Sequence, residues 1–257
     1  MHSMSQASRI LLAFSLAILA CVWAGKDISE GPTPEYVKQC SKSDPNLKPC
    51  LLDALDHLRP YLRDGIPDID LPAVEPFRMD ELKLSLTGGP NGYTVRLREL
   101  YVRGASNYTV EDIKLGSPFE AIIRMPALIL DAQYSSSGIL IILPASGNGT
   151  FHARFGNARA LVRGLVSTHQ RENNNKTYLR VDTLDVKLSV KDVNMRVSKI
   201  FNNNRILTEA TNLFLRENGQ EVLKVMEPQL KRKLSTVFIG IVNQLLLHVP
   251  VETFLLP

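Results

Sequence analysis

From Asn218 to Pro257 the chain carries an apolar stripe too long for an ordinary helix of a small domain. Val222, Met226, Leu230, Leu234, Val237, Ile241 and Leu245 recur in steps of three and four, which places them on one helical face. Phe238, Val242 and Leu246 widen the stripe, while Glu221, Lys224, Glu227, Lys231 and Ser235 lie off it. Asn218 followed by Glu221 reads as an N-cap with a reciprocal carboxylate, and Val249-Pro250 as a stop. Roughly thirty residues at about 1.5 Å each make a rod of about 45 Å, whereas globular helices average about 11–12 residues. Pro228 removes one internal hydrogen bond and predicts a bend near Lys224 to Glu227. Such a rod needs an elongated cover for its apolar side.

The rest of the chain reads as that cover. Leu47, Leu51, Leu55, Leu58 and Leu62 repeat at helical spacing after Asp44-Pro45, and Gly65 ends the segment. The proline-rich run from Gly65 to Pro76 is an extended connection. From Phe77 to about Phe201 the period changes to two: Leu82, Leu84 and Leu86; Tyr93, Val95 and Leu97; Leu128, Leu130, Ala132 and Tyr134; Phe151, Ala153 and Phe155. Ser135-Ser-Ser-Gly138, Gly147-Asn-Gly149 and the polar run Arg171 to Lys176 read as turns between antiparallel strands. A short helix around Arg205 to Leu215 leads into the long one. The order helix, many strands, helix defines an α+β chain with segregated elements. A long antiparallel sheet twists and curls, and the C-terminal rod is the element able to fill its concavity. One helix cannot fill such a wrap along its whole length, so an apolar tunnel beside it is expected.

Composition bounds where this happens. Arg9 precedes the apolar run Ile10 to Val22, and Val22-Trp23-Ala24 offers small residues for cleavage, so residues 1–24 read as a secretory signal, too short for a membrane span. Residues 25–257 then form one domain, with its formal charge reduced from +4 by the loss of Arg9 alone. So mild a balance argues neither for nucleic acid nor for an acidic membrane surface as a partner, and no second apolar run follows the first, so no stable membrane insertion is expected. In an oxidising compartment Cys40 and Cys50 are expected to pair, two free thiols being the alternative. Asn107-Tyr-Thr109, Asn148-Gly-Thr150 and Asn175-Lys-Thr177 are glycosylation sequons in turn-rich surroundings.

Cys40 and Cys50 flanking Asp44-Pro-Asn, followed by Leu58-Arg-Pro-Tyr-Leu and Gly65-Ile-Pro, resemble the opening of the insect takeout and juvenile-hormone-binding protein family. The stretch from Tyr134 through Gly138-Ile-Leu-Ile-Ile-Leu-Pro144 to Gly149 and the ending Val249-Pro250-Val-Glu-Thr-Phe254 resemble it too, in one register over the mature chain. The resemblance implies a tubular lipid-binding architecture: a curved sheet around a long C-terminal helix, a shorter N-terminal helix and an apolar tunnel for a small hydrophobic ligand. Haemolymph carriers of juvenile hormone have further cysteines that this chain lacks, which places it nearer the takeout branch and leaves the ligand's identity open.

No catalytic constellation accompanies this pattern. His57, His152, His169 and His248 are isolated, no cysteine spacing suits zinc, and no cofactor loop or nucleophile elbow is present. Asp68 and Asp70 read as solvated turn residues, and Lys231-Arg232-Lys233 as the wet side of the rod. The remaining chemistry is burial, with Leu51, Leu55, Tyr134, Ile141, Met226, Phe238, Ile241 and Val242 as candidate tunnel liners. Tyr134 is the sharpest candidate, because a phenol among aliphatic side chains can orient the polar end of a ligand. The reading is a secreted, non-enzymatic carrier without a metal or cofactor. Its rivals are a membrane-surface lipid recognition module and an ester hydrolase, and whether a receptor reads the loaded carrier is open.

Overall fold

Three strands of unusual length and one helix set the architecture. The computed structural model describes residues 32–87, 92–140, 143–144, 146–172, 174–201 and 204–257. The signal expected at residues 1–24 and the candidate liner Ile141 lie outside them. Strand β1 (Cys40–Ser41) precedes helix α1 (Leu47–Asp64), a single 3-10 turn (Pro67–Ile69), β2 (Phe77–Ser85), β3 (Thr94–Arg103), β4 (Thr109–Lys114) and β5 (Phe119–Ser137). Short strands β6 (Ile139–Leu140) and β7 (Leu143–Pro144) follow, then β8 (Gly147–Gln170), β9 (Thr177–Val197), α2 (Arg205–Glu217), α3 (Gly219–His248), α4 (Val251–Phe254) and β10 (Leu255–Leu256).

The main sheet runs β2-β3-β5-β8-β9, antiparallel throughout, and β4 pairs with the first part of β5 beyond the end of β3. Strands β3 and β4 are thus one broken strand along a single edge of β5. The break at Gly104 has φ 89, and a Cβ there would lie 2.3 Å from the Ala127 carbonyl oxygen, so only glycine fits. The Glu75 carboxylate fastens the jog, accepting from the Gly104 and Ser106 backbone N–H groups at 2.8 and 3.1 Å and from the Ser106 hydroxyl at 2.9 Å.

The parity of inward-facing residues changes along one line across the sheet. On one side the interior receives Leu128, Leu130, Ala132 and Tyr134 of β5, Phe151, Ala153 and Phe155 of β8, and Val193, Met195 and Val197 of β9. On the other it receives Ala121, Ile123 and Met125, then Ala160 and Val162, then Val186 and Leu188. Odd positions become even, or the reverse, in all three strands near Pro126, Asn157 (φ 51) and Asp192. A pure alternation cannot continue through such a line. The sheet folds there, and its interior divides into two cores.

Helix α3 has 30 residues and runs through Pro228. It lies in the concavity of the sheet, whose open edges are β9 on one side and β2 with β4 on the other. Its expected capping box is absent: the Asn218 side chain donates back to the Phe214 carbonyl at 3.1 Å. Asn218 also terminates α2, and its backbone N–H bonds the same carbonyl, so its side chain follows the preceding helix. Gly147-Asn-Gly149, expected as a turn, opens β8 and pairs with Tyr134 to Ser136 of β5. Gly149 lies against Ser198, whose carbonyl oxygen would be 2.4 Å from a Cβ, so close backbone approach rather than reversal requires it. Likewise Ser135 to Ser137 complete β5, and the chain reverses only at Gly138, φ 111. At α1, Asp44 does not cap the helix directly. Its carboxylate accepts from Asn46 N–H at 2.7 Å and the helix begins at Leu47. Cys40 and Cys50 are joined in a disulfide with Cα atoms 5.9 Å apart, tying β1 to α1.

Candidate functional site

Four side-chain amides hold the helices to the open sheet edges by reading backbone. Asn243 of α3 accepts from Val181 N–H at 2.8 Å and donates to Val181 C=O at 2.9 Å on β9. Asn212 of α2 repeats this with Val197 at 2.9 and 3.0 Å. Gln220 donates to the Val190 and Lys191 carbonyls at 3.0 and 2.7 Å. On the other edge Gln229 grips Ser85 of β2, accepting at 2.9 Å and donating at 2.7 Å. Asn243, Asn212 and Gln229 each supply the donor and acceptor that a missing neighbour strand would supply, and Gln220 supplies donors alone.

The interior held by these clasps is loosely filled. Leu223 and Met226 are the only buried apolar side chains of α3. Leu230, Leu234, Val237, Phe238, Ile241, Val242, Leu245 and Leu246, the remainder of the stripe, are all half-buried. A core helix packed at interior density would bury that face. Two apolar chambers lie toward the two ends of α3 and share no lining residue. The first, about 120 Å³, is bounded by Leu84, Leu86, Tyr134, Phe151, Phe214, Val222 and Met226 among others. The second, about 250 Å³, is bounded by Tyr36, Leu51, Leu55, Leu58, Leu245, Leu246 and Phe254 among others. Between them Phe238 packs on the cluster of Ala160, Val162 and Val186 on the far side of the sheet's fold line.

The sequence-derived candidates therefore separate. Tyr134 and Met226 meet in the first chamber, Leu51 and Leu55 in the second. Phe238 stands in the layer between, and Ile241 packs beside Val249 and Leu58. Val242 is half-buried on the same helix. The Tyr134 hydroxyl is committed to the protein: it donates to Ser198 C=O at 2.7 Å, and burial, with Tyr93 beside it, pushes the phenol up to about 12.

A different tyrosine presents a free donor. Tyr36 is 7% exposed, lines the second chamber, and its hydroxyl is the one buried side-chain N or O atom among the described residues without a hydrogen-bond partner. Burial first, then the charge of Asp68, raises its pKa, so it stays a protonated donor at neutral pH. Its ring meets Tyr61 edge-on at 6.2 Å between centroids. Tyr36 lies in the polar arm before Cys40, where no periodicity marks a residue as inward-facing. Helix α1 is seated over this chamber by Tyr108, whose hydroxyl donates to Leu55 C=O at 3.0 Å, and by Arg59, which donates to Tyr108 C=O at 3.1 Å.

The titratable groups outside the interior form surface networks. His152 Nδ1 lies 2.7 Å from Asp131, which also accepts from Arg103 at 2.6 Å, on the exposed outer face. His57 Nε2 is 2.7 Å from Glu35 C=O. Lys231, read as wet, is half-buried and pairs with Asp185 of β9, whereas Arg232 and Lys233 are exposed. Among the described residues no three His, Cys, Asp or Glu side chains could hold a metal together, and no helix is long and apolar enough to cross a membrane.

A curved sheet wrapped on a long helix, with a loosely filled apolar interior, defines a hydrophobic-ligand-binding protein of tubular design. The chain belongs to the haemolymph juvenile hormone binding protein family, whose model matches residues 14–256. That family consists of binding proteins, carriers of hydrophobic ligands, and not of enzymes. The chain is 22% identical over 250 residues to the circadian clock-controlled protein daywake of Drosophila melanogaster, across 93% of this chain and 94% of that one. Its likeness to the daywake protein of Drosophila yakuba has the same extent and identity. Among solved structures, Takeout 1 of Epiphyas postvittana superposes with a TM-score of 0.75 at 18% identity, covering 86% of this chain and 100% of that one. That likeness establishes the shared fold.

Proposed function

We propose that the chain is a secreted, glycosylated carrier that holds one small hydrophobic ligand, a terpenoid, fatty acid or similar lipid, in its interior. Leu51, Leu55, Tyr134, Met226, Phe238, Ile241 and Val242 are assigned to the ligand path, and Ile141 with them. The observation that carries the reading is the Tyr36 hydroxyl, buried without a partner on the wall of an apolar chamber. Leaving such a group unmatched costs about 1–3 kcal/mol. A ligand oxygen within the chamber removes that cost, so the preferred ligand is mostly hydrocarbon with one acceptor. Protein secreted from insect cells is extracted with organic solvent and weighed natively. About one apolar molecule per chain supports the reading; empty protein that also takes up no apolar probe refutes it. The same spectra report cleavage before Gly25 and glycan mass at Asn107, Asn148 and Asn175, all exposed.

A membrane-surface module is the second reading. Ile206 is 80%, Leu213 44% and Phe214 49% exposed on α2, beside the first chamber. Sedimentation with neutral and anionic liposomes separates the two: a freely soluble loaded chain supports the carrier, vesicle-bound empty chain the module.

A further inference from the structure

Along the β9 edge, α3 runs beside the sheet between the Gln220 and Asn243 clasps. A slit of about 350 Å³ lies there, floored by Val186, Leu188, Leu223, Leu230 and Leu234. Val186 and Leu188 face inward on β9, Val186 buried and Leu188 half-buried, so the slit borders the interior surface of the sheet. It shares no lining residue with either chamber. Ligand sites typically measure about 300–1,000 Å³, with apolar walls and a few convergent polar groups. The slit reaches that range, and each chamber taken alone falls below it.

The rim carries charge of both signs. Glu221, Lys224 and Glu227 of α3 line it, and none has an ion-pair partner among the described residues. Lys231, also on the rim, is already matched by Asp185 across the gap. Glu227 is half-buried, Lys224 exposed. An anion alone would meet Glu227, and a cation alone would meet Lys224. A head group carrying both an ammonium and a phosphate satisfies each with an opposite charge, and charge-assisted hydrogen bonds are the strong ones. A single alkyl chain suits the narrow apolar floor.

We infer that this slit is a second binding site, distinct from the two chambers, for a single-chain lipid with a zwitterionic head. The chain lies along Leu188, Leu230 and Leu234. Lys224 meets the phosphate, and Glu227 meets the ammonium.

The test measures binding of oleoyl-lysophosphatidylcholine, below its micellisation concentration, and of uncharged oleyl alcohol, to the full mature chain. The double variant Lys224→Gln/Glu227→Gln is expected to weaken the lysolipid at least tenfold and oleyl alcohol less than twofold. Leu188→Trp, which fills the floor, is expected to abolish lysolipid binding, with thermal unfolding showing that the fold is kept. Tyr36→Phe, in a chamber, is expected to leave the lysolipid affinity within twofold. Lysolipid affinity indifferent to the double variant, or sensitive to Tyr36→Phe instead, overturns the slit assignment while the carrier reading stands. If neither probe binds the native chain, both fall.

Discussion

Replacing Asn243 by leucine tests whether the amide clasps hold the rod in the sheet. The side chains share the same branched outline, so the change removes two hydrogen bonds, at 2.8 and 2.9 Å, with modest repacking. It leaves the backbone N–H and C=O of Val181 facing an apolar group, and Val181 is 3% exposed. A buried donor or acceptor stripped of its partner costs about 1–3 kcal/mol, which for two groups with some access to water along an edge strand gives about 3 kcal/mol. For a domain of this size that corresponds to roughly 6–12 °C in Tm. Asn243→Asp keeps the acceptor but sets a carboxylate oxygen against the Val181 carbonyl, and should cost at least as much. Gln229→Leu at the solvent-facing Ser85 clasp should cost less than about 1 kcal/mol, because water replaces the lost partner. Urea unfolding of the three variants gives the ranking. A cost for Asn243→Leu no greater than that for Gln229→Leu would refute the argument that these amides complete a buried edge.

Three further outcomes are expected. Burial raises the pKa of Glu75, but the Gly104 and Ser106 N–H groups, the Ser106 hydroxyl and Arg103 outweigh it, so the carboxyl sits below its ordinary 4.5. Its clasp on the jog therefore stabilises fully above that value and fades as pH falls through the lowered pKa. The advantage of the native chain over Glu75→Gln should be present at pH 7 and vanish in acid, as read by unfolding midpoints across pH. Cys40→Ser/Cys50→Ser opens a loop closed over 10 residues and should cost about 2–3 kcal/mol, measured by urea unfolding. Gly149→Ala should destabilise by about 1–3 kcal/mol, since its methyl would meet the Ser198 carbonyl at 2.4 Å; a neutral result would mean that Ser198 moves freely.

The sequence displayed the elements whose periodicity stays in phase. The long helix, the first amphipathic helix and the Phe151-Ala153-Phe155 alternation each follow a repeat that the solvent boundary enforces. The strands were visible only in fragments, because inward parity reverses near Pro126, Asn157 and Asp192 and local alternation loses its phase there. Gly147 and Gly149 looked like a turn because glycine serves both reversal and close approach, and sequence alone does not distinguish them. The site was less legible still. Tyr134 is buried on the inner face with Ala132 and Phe151, yet its hydroxyl is taken by Ser198. Tyr36 lies in an irregular arm, and its burial depends on α1, α3 and the C-terminus closing over it. Asn212, Gln220, Gln229 and Asn243 read as ordinary polar helix positions, since nothing in their spacing tells a solvated amide from one bonded to a strand edge.

Those amides address only peptide groups, never a particular side chain. The attachment of rod to sheet is consequently indifferent to what the strands carry on their inner face. Liners can be exchanged for larger, smaller or more polar ones without unfastening the scaffold, so ligand preference can drift while the architecture stays put. At 18% identity to Takeout 1 of Epiphyas postvittana, with the fold still superposing, this chain has room for a cargo of its own.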